Sequence, residues 1–185
     1  MNSEKVMKSE LNQEESFFSI YIKKMKGEKS NISSYKITEH LVSALGGLLA
    51  MCLISLVAFT LGYPMVLGPI GASCLLVFVA YSGPFSQPRS VIGGHIIATL
   101  AALTVWEFLG RTYLTIGITL ALVIFLMAIL NMMHPPAAAS AVVAINVQVG
   151  WGFFVAIVVS AILVVAFSVF YNNLFKDRQY PKHWI

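Results

Sequence analysis

The sequence predicts an all-α integral membrane protein. About four long transmembrane helices are expected, with two short proline-initiated helices, broken or re-entrant, in two pseudo-symmetric halves. Three observations lead there. The 185 residues are 58% hydrophobic and 11% charged, a composition of membrane-embedded chains. Between His40 and Phe175 the only charged side chains are Arg89, Glu107 and Arg111, so the net charge of +4 belongs to the ends. Prolines followed by small residues interrupt the apolar run at two matching places, Pro69-Ile70-Gly71-Ala72-Ser73 and Pro136-Ala137-Ala138-Ala139-Ser140.

Met1 to Gln13 is polar and of mixed charge, with no apolar run or cleavage site of a signal peptide. Phe17 to Lys26 mixes aromatic residues with lysines and reads as a short interfacial helix on an anionic leaflet. The expected domains are a cytoplasmic tail with that helix at 1–37, a transmembrane domain at 38–175 and a basic, aromatic cytoplasmic tail at 176–185. The transmembrane halves are 38–110 and 111–175. Leu41–Leu61, Val91–Leu109, Tyr113–Leu130 and Trp151–Phe170 approach the roughly 20 residues of a spanning helix. Leu67–Tyr81 and Pro135–Val149 are shorter. Stripes of small residues, Gly94/Ala98/Ala102 and Gly152/Ala156/Ser160, allow close packing. They are read as contacts within one subunit, and a homo-oligomer is left open.

The stretch Asn131-Met132-Met133-His134-Pro135-Pro136 organises the rest. Paired prolines stop a helix, because each lacks an N–H and clashes with the preceding turn. Proline also suits the first turn of a new helix. A fresh helix N-terminus carries unpaired N–H groups and part of a positive charge, which is where anions bind. The expected cradle is the amides of Gly71, Ala72, Ala137 and Ala138, with Ser73, Ser140 and His134, beside Pro135, Pro136 and His95. Gln87 and Arg89 would form a vestibule that attracts anions. Each residue has a plainer role too. His134 or His95 could be a buried structural histidine, Ser73 and Ser140 could bond back to their own helical turn, and Arg89 could pair with a lipid headgroup. Glu107 is expected near a membrane face, paired with Arg111.

Lysines and arginines gather before the first helix and after the last, so both termini are expected in the cytoplasm and the number of crossings should be even. Four crossings with two re-entrant helices fit. Six crossings with inverted halves fit as well, and are favoured by three helices per half. The tail from Tyr171 to Trp184 reads as an interfacial belt of aromatics and cations. No basic face suits nucleic acid. Cys52 and Cys74 lie in apolar segments and read as packing residues.

These blocks resemble the HPP family of small membrane proteins. His134-Pro135-Pro136 with its Ala/Ser run is similar to the motif that names the family. Gly68 to Ser73 and Ser86 to His95 are similar to its first signature, and Asn172-Asn173-Leu174, Arg178, Tyr180-Pro181 and Trp184 to its C-terminal one. The resemblance covers roughly Ser16 to the C-terminus. It implies transport of a small inorganic anion, nitrite in particular, since members in plastids and cyanobacteria are described as nitrite transporters. The partners expected are that anion and the lipid bilayer, with no cofactor, in a bacterial inner (plasma) membrane. Two other classes stand beside this one: a structural or regulatory membrane subunit, and an enzyme holding haem or a metal between His95 and His134. The second has little support, because no nucleophile–base arrangement can be assembled in the membrane segments.

Overall fold

The computed structural model describes residues 17–26 and 36–184, and every regular element among them is helical. The expectations for the cytoplasmic tail at residues 1–16 and 27–35 lie outside the described residues. Helix α1, Phe17–Lys26, covers the stretch read as interfacial and belongs to a unit separate from the remaining helices. Six further helices make one compact unit: α2 (Ile37–Thr60), α3 (Leu67–Val79), α4 (Pro88–Leu109), α5 (Tyr113–Ile129), α6 (Pro135–Val147) and α7 (Trp151–Asn172).

Helices α2, α4 and α7, at 22 to 24 residues, are long and apolar enough to cross a membrane. The stretch read as a fourth long helix becomes α5, which has 17 residues. At 1.5 Å per residue it is about 26 Å long, just short of a hydrocarbon core of roughly 30 Å. Helices α3 and α6 have 13 residues each.

Helix ends follow local chemistry. Thr112 caps α5 by accepting the N–H of Thr115 at 3.0 Å, which satisfies one of the first-turn donors. At the end of α5, Asn131 takes φ 53° while the Met132 N–H reaches back to the Met127 carbonyl and the Asn131 N–H to Ala128. That is a Schellman ending, which requires a residue tolerant of left-handed backbone. Helix α2 ends the same way at Gly62, with φ 77° and the Tyr63 N–H on the Ala58 carbonyl. Each ending is followed within a few residues by the proline that opens a short helix.

The two short helices nevertheless start differently. Helix α6 opens on Pro135 with His134 as its cap residue, as the motif predicts. Helix α3 is preceded by a 3-10 turn over Pro64–Val66, so Pro64 opens it and Pro69 sits third in the α-helical part. A proline is tolerated there because the bond its N–H would make falls on the 3-10 turn.

Helix α4 packs against α5, α6 and α7. Helix α3 packs against α2, α6 and α7, while α2 also touches α7 and α5 touches α6. Direction alternates along the chain. The start of α2, the end of α3, the starts of α4 and α6, the end of α5 and the C-terminal tail meet at one end of the bundle. At the opposite end Tyr63 packs edge-on against Phe153, and Gly152 leaves room for its phenol.

The tail departs from the expected interfacial belt. Tyr180 and Arg178 are buried. One Arg178 Nη donates to the Glu39 carbonyl at 2.9 Å and to Ser43 Oγ at 2.9 Å, and faces Glu39 Oε2 at 3.4 Å. The other donates to the Phe78 carbonyl and to Asn172 Oδ1. The guanidinium lies over the Tyr81 ring, 5.2 Å from its centroid. Five fixed donors satisfy the open carbonyl end of α3 better than solvent at a headgroup would. Tyr180 donates to the Ser86 carbonyl at 2.8 Å, and Asn173 Nδ2 donates to the Tyr180 carbonyl. The expected Glu107–Arg111 pair is absent among the described residues, because α4 ends at Leu109 and Gly110 turns the chain with φ 65°.

Candidate functional site

The two short helices bring Ser73 and Ser140 to the centre of the unit, one on each. Helix α4 brings His95 from its eighth position, and His134 enters as the residue before α6. All four side chains are fully buried. Ser73 Oγ lies 3.0 Å from His95 Nε2 and 2.8 Å from His134 Nε2. His95 Nδ1 lies 2.8 Å from Ser140 Oγ. His134 Nδ1 lies 2.7 Å from the Phe85 carbonyl. The imidazole centroids are 5.1 Å apart at 64°.

The Phe85 carbonyl fixes the proton positions, because it can only accept. His134 Nδ1 therefore carries a hydrogen. With His134 neutral, Nε2 is an acceptor and Ser73 donates to it. Ser73 has then used its hydrogen and accepts from His95 Nε2–H, which leaves His95 Nδ1 as the acceptor for the Ser140 hydroxyl. One direction of hydrogen bonds satisfies every group with both rings neutral. The Pro69 carbonyl lies 3.1 Å from Ser73 Oγ and competes for the same hydrogen. Both nitrogens of each ring are engaged.

Two tight approaches hold this geometry. A Cβ on Gly94 would lie 2.8 Å from His134 Cβ and 3.2 Å from the Met132 carbonyl oxygen. A Cβ on Gly93 would run into Met132 Sδ. Only glycine lets α4 come this close to the chain that delivers His134. The pair Gly93-Gly94 beside a histidine is the sequence signal for this role, and so is the Gly94/Ala98/Ala102 stripe.

The backbone amides contribute less than expected. Pro135 and Pro136 have no N–H, and the Ala137 N–H is bonded to the His134 carbonyl at 2.9 Å. Gly71 and Ala72 lie fifth and sixth in α3, where N–H groups have partners one turn back. Ala72 is exposed. Ala138 is half-buried beside the same turn. The polar centre is thus built from hydroxyls and imidazoles.

Gln87 and Arg89 line a cavity of ≈ 200 Å³ with Phe85, Asn131, Met133 and His183. Gln87 serves structure there. Its Nε2 donates to the Tyr81 and Gly83 carbonyls at 3.1 and 2.8 Å, and its Oε1 accepts the Lys182 N–H at 2.9 Å. Arg89 is half-buried and donates to the Leu130 carbonyl at 3.2 Å, at the end of α5. At the opposite end of the unit a cavity of ≈ 370 Å³ is lined by Leu103, Trp106, Glu107, Val149 and Trp151. Sequence reading missed the Phe85 carbonyl, which carries no side-chain signal, and the burial of Arg178.

A bundle of apolar helices around a sealed polar centre, flanked by a cavity at either end, defines a helical integral membrane protein with a central site. The chain belongs to the HPP family: the family described as "HPP, transmembrane region" matches residues 32–181. It is similar to two Dictyostelium discoideum proteins, each known simply as a transmembrane protein. One is 30% identical over 129 residues, which is 65% of this chain and 45% of the relative. The other is 28% identical over 181 residues, 91% of this chain and 58% of the relative. The chain thus spans about half the length of the curated relatives it matches. No solved structure matches.

Proposed function

We propose that this protein moves a small monovalent anion across the membrane, nitrite foremost, through the centre formed by Ser73, His95, His134 and Ser140. The observation that carries the reading is the sealed cluster itself. Ionisable side chains at membrane depth are expensive to keep and mark pathways for ions or substrates. Here two imidazoles and two hydroxyls converge from three elements and spend their bonds on one another. An anion entering the centre trades those bonds for its own, and finds hydroxyl and ring N–H donors in a water-poor setting where they are strong. The Arg89 cavity supplies positive charge on one side. The family's anion transport, implied by its motifs, points the same way, and no enzymatic role is invoked.

The arrangement is read as six passes in two inverted halves, with both termini cytoplasmic, in a bacterial inner membrane. Exchanging α2 with α5, α3 with α6 and α4 with α7 returns the same set of neighbouring helix pairs, which supports the paired halves. The alternating direction of the helices supports an even number of passes. Nitrite uptake into proteoliposomes, with nitrate, chloride and formate as competitors, tests the proposal. Uptake above protein-free liposomes that falls with His134→Asn and Ser140→Ala is expected. Uptake no faster than that of empty liposomes would leave a structural or regulatory subunit as the better reading.

A further inference from the structure

We propose that the Ser140–His95–Ser73–His134 chain is a proton relay that makes anion movement proton-coupled, one proton with each monovalent anion. The inference rests on the anion-transport reading and goes beyond it by naming the coupling ion.

Two features support it. The first is that the hydrogen bonds form an unbroken line in one direction, Ser140 to His95 to Ser73 to His134, ending on the Phe85 carbonyl. Such a line moves a proton without moving heavy atoms. A proton arriving at Ser140 Oγ releases that hydroxyl's own hydrogen to His95 Nδ1. His95 passes its Nε2 hydrogen to Ser73 Oγ, and Ser73 passes its hydrogen to His134 Nε2. The result is one imidazolium at His134, with every other group neutral and the three bonds among the four side chains reversed. Phe85, which accepts from His134 Nδ1, also lines the cavity with Arg89, Asn131 and His183. A cationic ring behind Phe85 attracts an anion; its Nδ1 hydrogen passes to water in that cavity, and return of the hydrogen bonds to their first direction, with Nδ1 again protonated, completes the transfer.

The second feature lies on the other side of the chain. Thr99, one turn beyond His95 on the same face of α4, is fully buried and its Oγ1 has no protein partner among the described residues. Thr119 Oγ1 and Ser160 Oγ are in the same condition. Buried hydroxyls of this kind are satisfied by water. The face of α4 that carries His95 and Thr99 continues to Leu103 and Trp106, which line the ≈ 370 Å³ cavity. A water held by Thr99 would carry the relay on toward the opposite end.

The surroundings hold few competing charges. Helix α3 adds Cys74, and α4 adds Arg89 toward Leu130 and Glu107 at its far end. Helix α7 adds Tyr171, which donates to the Val42 carbonyl. The tyrosine of α5, Tyr113, is exposed at its start, and α6 carries no titratable side chain after His134. His183 is the remaining group at the cavity.

The experiment uses the full chain in liposomes containing a pH-sensitive dye, with the membrane potential clamped by valinomycin and potassium and nitrite as the probe. An inward proton gradient is expected to drive nitrite uptake above protein-free liposomes, with matching lumenal acidification. His95→Gln keeps an N–H for Ser73 but cannot relay a proton, and should lower proton movement by about tenfold or more. Nitrite uptake by the wild-type protein with no accompanying protons would overturn the relay and leave the transport reading intact. Potential-driven proton movement by the wild type, lost in His95→Gln, with no nitrite carried, would show an uncoupled proton path and overturn both the coupling and the transport reading. Neither flux would overturn both.

Discussion

Replacing Gly94 by Ala tests the centre through its geometry. The added methyl would sit 2.8 Å from His134 Cβ and 3.4 Å from Ala137 Cβ, against about 3.5–4.0 Å for comfortable carbon–carbon contact. His134 Cβ is held close to the backbone and cannot swing aside. Relief requires α4 and α6 to part by about 1 Å. The His95–Ser140 bond, which joins those two helices at 2.8 Å, would then stretch to about 3.8 Å, past the range of a hydrogen bond. Overpacking of this kind costs about 1–3 kcal/mol. Gly117→Ala in α5 is the matched control. Apart from the backbone of its own helix, no atom lies within 4 Å of its added methyl, and glycine to alanine in an open helix should be neutral or stabilising by up to about 1 kcal/mol. Thermal unfolding in detergent and anion uptake in liposomes read both effects. Gly94→Ala should melt lower and lose most uptake, while Gly117→Ala keeps both. A Gly94→Ala protein with wild-type melting and uptake would refute the claim that close approach of α4 and α6 holds the site.

Solid-state NMR of ring nitrogens should find His95 protonated at Nε2 and His134 at Nδ1 in their neutral forms; the opposite assignment for either ring would break the directional chain. Arg178→Met should lower the melting temperature, since it strands Asn172 Oδ1 at about 1–3 kcal/mol for a group left buried without a partner, while the Phe78 carbonyl keeps the Ser43 hydroxyl at 2.8 Å. Glu39→Gln should cost under about 1 kcal/mol, because that carboxylate is 42% exposed, and equal losses from the two variants would contradict the buried-cap reading. Burial pushes the Tyr180 phenol from 10.0 up to about 12. The folded state therefore holds that proton more tightly, and the stability it lends is complete below pH 10 and lost as pH rises through about 12. Ultraviolet titration of tyrosinate should lose a component near 12 in Tyr180→Phe, and loss of a component near 10.0 instead would place Tyr180 in solvent.

The sequence by itself determined that the chain is a helical membrane protein, where its helices break, and which polar residues sit at the breaks. Those features are local. Apolar length, the absence of an N–H in proline and the tolerance of Gly62 and Asn131 for left-handed backbone act within a turn or two of chain. Ser73, His95, His134 and Ser140 could be named because polar side chains are rare in such segments. Tertiary structure decided what they do with one another. Sixty-one residues separate Ser73 from His134, and only the packing of α3 and α4 against α6 brings their nitrogens and oxygens within bonding distance. It also decided that the Ala137 amide is already bonded, that Gln87 ties the tail to a loop, and that Arg178 caps the end of α3. Composition at Arg178 looks the same whether the arginine meets a headgroup or a helix terminus. The choice depends on where distant carbonyls end up, and that is fixed by the packing of the whole bundle.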